Sequence, residues 1–155
     1  MQTTSTPYDV DPSTSTFSFR HASYSSSLVS FDPVERYGND YSGDGTRAVR
    51  AQLSPLQQGV YRTYDPLAVV GGLPFLDIGN SLIATQHAFD PAILKGLTWQ
   101  QIASKLSNPK DPVARAIVGA ANYLIAGLCT ITNGQPAPVC GLPVVAMADR
   151  AMAIG

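Results

Sequence analysis

Two cysteines, Cys129 and Cys140, are the residues best equipped for covalent chemistry in this 155-residue sequence. They are separated by eleven positions, with the turn-rich stretch TITNGQPAPV between them. A redox pair of the usual kind is a Cys-x-x-Cys motif whose attacking thiolate is stabilised at a helix start. A zinc site needs closely spaced cysteine pairs or a companion histidine pair. Neither pattern is present. The spacing instead suits a structural disulfide closing a loop that folds back, a bridge that contributes about 3 kcal/mol on the chain-entropy account. Two buried free thiols are the next alternative, and a redox-active pair the third.

The other candidates carry less. His21 and His87 are far apart in sequence, and neither has a ligand or a glutamate at helical spacing, so each reads as a surface or hydrogen-bonded residue. Asp40 to Gly45 imitates the opening of a calcium loop, but its twelfth position is Ala51, where a bidentate glutamate is required. That stretch reads as a solvated turn. Asp77 stands between Leu76 and Ile78 on a strand that opens at Pro74. A half-buried carboxylate there is a candidate for catalytic use, but capping the adjacent turn or facing solvent is the simpler role. The residues contain no nucleophile with its base, no phosphate loop and no carboxylate pair. No catalytic residue, metal or cofactor is therefore assigned.

Composition narrows the partners. Only 14% of residues are charged, the net charge is −1, and the ten basic residues are scattered. Phosphate binding depends on clustered lysine and arginine, so nucleic acid is not an expected partner. Residues 1–30 hold 14 serines or threonines, a composition that buries little surface. Positions 1–15 read as a polar leader and 16–155 as one domain, long enough to bury a core. The leader has neither the positive start nor the apolar stretch of a secretory signal, and no membrane anchor is recognised. So polar a start leads us to expect a processed chain, a truncated reading frame or a fragment.

The elements that must position these residues follow from pattern. TFSFR (16–20) and YSSSLVSF (24–31) alternate like strands, with Phe17 and Phe19 on one face. Residues 38–50 read as a loop. Ser54-Pro55-Leu56-Gln57 has the form of a capping box before a helix over about 55–63, with Leu56, Val60 and Tyr64 on one face. Residues 73–86 predict a hairpin turning on the pair Gly79-Asn80. Thr98 and Gln101 form a second capping box, and Trp99, Ile102, Ala103 and Leu106 make an apolar stripe. Asn108-Pro109 stops that helix. Asp111-Pro112 starts the next, which runs to about Thr132 before Asn133-Gly134. It is long and apolar enough to compete as a membrane span, but Arg115 and Asn122 favour a buried central helix. A last helix begins near Pro143. The fold class is α/β, with a helical C-terminal half.

The series STFSF, PFLDIGN, FDPAILKGLTWQQIASKLSNPKDPVARAIVGAANYLIAGLC and NGQPAPVC resembles an uncharacterised prokaryotic family, domain of unknown function 929. The resemblance runs from about Asp9 to Cys140. Its most specific positions are Pro74-Phe75 with Asp77 and Gly79-Asn80, then Leu94, Gly96, Trp99 and Gln101-Ile102; Asn108-Pro109, Pro112, Ala121-Asn122-Tyr123, Gln135-Pro136 and the two cysteines complete it. It implies a thioredoxin-like fold, here partial, with a small mixed sheet, and an extracytoplasmic setting. In such folds a proline before a strand, usually cis, faces the redox cysteines, and Pro74 matches that position. A cis Leu73-Pro74 bond costs only about 0.5–1 kcal/mol. Leu73, Pro74, Phe75 and Asp77 would then line a groove.

The redox motif itself is missing, since Cys129 and Cys140 match the family's C-terminal pair. The resemblance therefore implies no thiol–disulfide exchange by this chain as it stands. The alternative is a non-catalytic module that binds a peptide or partner beside Pro74, or that self-associates through an unpaired sheet edge.

Overall fold

The computed structural model describes residues 2–4, 14–16, 23–41, 47–64, 75–85 and 88–153. The protein mixes strands and helices, and helices fill most of the C-terminal half. Strands β1 (Gln2–Thr4) and β2 (Thr14–Thr16) pair antiparallel, as do β3 (Tyr37–Tyr41) with β4 (Arg47–Val49) and β5 (Leu76–Ile78) with β6 (Leu82–Ala84). Each strand pairs only with its neighbour in sequence. The expected mixed sheet is thus replaced, among the described residues, by separate antiparallel pairs.

Two strand and loop expectations fail in the N-terminal half. Residues 24–31 are a loop rather than a strand. The Ser26 hydroxyl accepts the backbone N–H of Leu28 at 3.1 Å and of Val29 at 3.5 Å, a local bond that competes with any ladder. Tyr24 and Phe31 close the loop edge to face, 5.9 Å apart. Conversely, the predicted loop at 38–50 contains β3 and β4, with Tyr37 opposite Val49 and Tyr41 opposite Arg47 across an irregular register. Both strands are short, and β3 is mostly polar, so they give no two-residue alternation to read. Phe17, Phe19, most of 16–20 and residues 42–46 lie outside the described residues.

Helix α1 (Pro55–Tyr64) starts as expected. Ser54 N–H donates to Gln57 Oε1 at 2.9 Å, and Gln57 N–H donates back to Ser54 Oγ at 3.3 Å. Gln57 Nε2 also donates to Asp32 Oδ2 at 2.7 Å, holding the 24–36 segment against the helix. The buried face is not the predicted one. Leu56 and Tyr64 are exposed, and Tyr61 is the buried residue. Its ring meets Phe75 edge to face at 5.2 Å, and the Arg36 guanidinium lies 5.7 Å from its centre. An aromatic ring flanked by a ring edge and a cation is covered here, whereas Leu56 stays exposed.

The C-terminal helices are α2 (Trp99–Lys105), α3 (Pro112–Ile131), the single turn α4 (Ala137–Cys140) and α5 (Pro143–Met152). A 3-10 turn (Pro91–Leu94), capped by Asp90, precedes them. The α2 capping box forms in both directions, with Thr98 N–H on Gln101 Oε1 at 2.7 Å and Gln101 N–H on Thr98 Oγ1 at 3.3 Å. Of the predicted stripe only Ile102 is buried; Trp99, Ala103 and Leu106 are exposed.

Helix α3 overturns the buried-helix expectation. Only Val113, Ala114, Ala126 and Gly127 are buried. The reason is where its partners touch it. Helix α5 packs on Ala126, joining it with Val145 and Ala148, and Ile125, Cys129 and Met152 fill the edges of that cluster. The β5–β6 hairpin packs on Gly127, where a Cβ would lie 2.7 Å from Leu82 Cδ2 and 3.2 Å from Ile78 Cδ1. Small residues let both partners approach closely, so they are covered while Tyr123, Leu124 and Leu128 stay outside.

The two α3 glycines should therefore answer oppositely to substitution. A Cβ at Gly119 would meet nothing within 4 Å, so Gly119→Ala should raise stability by about 1 kcal/mol through helix propensity. Gly127→Val should lower it by about 1–3 kcal/mol through overpacking against the hairpin. Urea denaturation of the two variants beside the parent checks both signs.

Candidate functional site

The chain brings its two cysteines together. Cys129 lies in the last turn of α3, and Thr132 caps that helix. Asn133 and Gly134 take φ of 52° and 74°, and Gly134 N–H returns to Cys129 O at 2.8 Å. Glycine reaches that left-handed backbone without cost and asparagine tolerates it, which is why Asn-Gly ends the helix here. The Thr132 hydroxyl lies 2.9 Å from Leu128 O and 2.6 Å from Gln135 O, stitching the helix end to the returning chain. The Gln135–Pro136 bond is cis. The chain then makes α4, whose last residue is Cys140. The Cys129 and Cys140 sulfurs are 1.99 Å apart, with Cα atoms 5.7 Å apart, and no free cysteine remains. The disulfide expectation is met; the surprise is that part of the predicted loop is a helical turn.

The bridge does more than close a loop. Cys129 packs against the Ala126–Val145–Ala148 cluster, so its link to α4 also sets where α5 can begin. Leu142 and Pro143 follow Cys140 within three residues, and Val145 and Ala146 N–H both bond to Leu142 O at 3.0 Å. Neither sulfur stands at the start of a long helix. The last turn of α3 presents carbonyl groups, the negative end of the helix dipole, and disfavours a thiolate there.

The residues predicted around Pro74 are only partly in view. Leu73 and Pro74 lie outside the described residues, as do His21 and His87 and the centre of the Asp40–Gly45 stretch. Phe75 is half-buried against Tyr61. Asp77 is exposed, and its Oδ1 accepts Asn80 N–H at 2.8 Å, so it caps the turn. The turn is one residue longer than predicted. Ile78 pairs with Leu82 across Gly79, Asn80 and Ser81, and Ser81 N–H bonds to Ile78 O at 3.0 Å. Gly79 and Asn80 take φ of 58° and 54°, and a Cβ on Gly79 would come 3.0 Å from Ile131 Cγ2. Among the described residues no group of histidine, cysteine or carboxylates is placed to hold a metal.

One carboxylate is electrostatically set apart. Asp111 caps α3 through Val113 N–H at 2.8 Å and accepts from Lys105 Nζ at 2.9 Å. The Lys105 hydrogen bond first, then the Val113 N–H, hold its pKa below the ordinary carboxylate value. Sequence reading found the cap but not the cation, because Lys105 reaches it only after the turn at 106–110. Arg36 and Gly127 were also missed. A glycine inside an apolar helix does signal close approach by another chain segment.

Two outcomes follow. A depressed folded-state pKa means that the stability from Asp111 is full above the unfolded value and is lost as pH falls through the folded one. Asp111→Asn keeps an effective cap, so it should flatten the acid limb of the stability–pH curve measured by thermal melts. Replacing both cysteines with alanine should cost about 3 kcal/mol in a urea titration.

No family model, curated protein or solved structure matches this chain.

Proposed function

We propose that this chain is a non-catalytic interaction module, a cystine-clamped helical platform resembling the thioredoxin-like domain of unknown function 929 and working in an oxidising, extracytoplasmic compartment. The observation that carries it is the state of the cysteines. The chain has two, and both are spent on one bridge between the end of α3 and α4. Thiol exchange needs an accessible thiolate of low pKa and a second cysteine to resolve the mixed disulfide. A half-buried cystine at the carbonyl end of a helix supplies neither. Structural disulfides persist in oxidising compartments, which supports the extracytoplasmic setting.

A binding role is favoured over a purely structural one by the surface that the clamp displays. Helix α5 turns Val145 and Ala148 inward yet leaves Val144 half-exposed and Met147 62% exposed, and Leu142 beside it is open. Binding beside Pro74 is the other form of this reading. In that region Phe75 is engaged with Tyr61 and Asp77 with its own turn.

Insulin reduction tests the proposal. Protein with dithiothreitol should start insulin precipitation no sooner than dithiothreitol alone. Acceleration that disappears when Cys129 and Cys140 are replaced by alanine would overturn the non-catalytic reading.

A further inference from the structure

The charge of the chain is unevenly placed. Residues 1–90 hold nine of the eleven acidic residues and five of the ten basic ones, whereas residues 91–118, which follow Asp90, hold Lys95, Lys105, Lys110 and Arg115 against a single acid, Asp111. Lys105 is spent on Asp111. Lys95, Lys110 and Arg115 are exposed and bracket α2 in sequence. Between them stands an apolar ridge. Trp99, Ala103 and Leu106, at i, i+4 and i+7, share one side of α2, and all three are exposed, Trp99 by 55%. The capping box fixes the helix start beneath Trp99 while Ile102 anchors the neighbouring side in the protein. On α3, Arg115 and Val118, at i and i+3, repeat the pairing of an exposed cation with an exposed apolar side chain.

We propose that this segment, α2 with the first turns of α3, docks on the surface of an anionic lipid bilayer. Charge complementarity selects a negative partner for Lys95, Lys110 and Arg115. The Trp99–Leu106 ridge then selects one with an apolar interior beneath its charge. A bilayer interface offers both, with tryptophan favoured at headgroup depth and basic residues held at the anionic surface. A soluble polyanion offers only the charge. The inference rests on the non-catalytic reading just given only in naming what the platform binds; insulin reduction tests that reading and lipid binding tests this one.

Trp99 is the only tryptophan, so the full chain carries its own reporter. Mixed phosphatidylglycerol–phosphatidylcholine vesicles should shift its emission to the blue and carry the protein down on sedimentation. Pure phosphatidylcholine vesicles should do neither, and added salt should weaken the effect. Lys95→Glu with Lys110→Glu, both at exposed sites and checked for folding by circular dichroism, should weaken binding about tenfold or more. Leu106→Ser should weaken it without changing the salt dependence. The proposal would be overturned by no binding to mixed vesicles, by equal binding to neutral ones, or by binding to heparin without binding to vesicles. A blue shift that tracks protein concentration without lipid would assign the ridge to a second copy instead and equally overturn it.

Discussion

Close approach at two small residues, Ala126 and Gly127, decides how this protein is assembled. Adjacent on α3, they point to different sides of the helix. Ala126 receives Val145 and Ala148 of α5, and Gly127 receives Leu82 and Ile78 of the hairpin. A larger residue at either place would hold its partner off by the width of a methyl group or more, with the loss of contact that such a gap brings. Gly79 repeats the device one turn on, where Ile131 lies over the hairpin turn. One helix turn thus organises the hairpin, α5 and, through Cys129, α4. The covalent bridge acts at the place where packing already converges.

The same convergence explains why the cysteines are poor candidates for chemistry and good ones for architecture. A redox cysteine is served by a helix start, where backbone N–H groups favour the thiolate, and by exposure to its substrate. Cys129 has the opposite placement, at a carbonyl end and beside an apolar cluster. What the bridge gains is definition: α4 is one turn long and could not hold its place by propensity alone. Fixing α4 fixes the start of α5 at Leu142–Pro143, and α5 then keeps one apolar side inward while the other remains open. The open side is the natural consequence of a short helix carrying apolar residues on both faces.

Local signals were the most legible in the sequence. Both capping boxes, the Asp111-Pro112 start, the Asn133-Gly134 stop and the cystine all depend on groups a few residues apart, so their geometry is written in the spacing. Burial was less legible. The stripes read on α1 and α2 do not coincide with the covered sides, because which residue is covered depends on a distant facing partner: Phe75 and Arg36 lie against Tyr61, whereas Leu56 and Trp99 stay exposed. The partial covering of the long α3 has a related cause. Apolar composition says that a helix has a favourable reason to be covered, not that enough of the chain lies against it. The strands of the β3–β4 pair offer no clean alternation to read, and in the 24–31 loop serine hydroxyls that bend the backbone look like the polar half of a strand.

Hydrogen–deuterium exchange resolved by segment, on oxidised protein and on protein whose bridge has been reduced and alkylated, tests the clamp most directly. If the cystine places α4 and α5 on a helix that the hairpin holds independently, reduction should release protection across residues 137–152 while 76–84 and the α3 segment around Gly127 keep theirs. Unchanged protection in 137–152 would contradict the account, and so would a uniform loss along the whole chain.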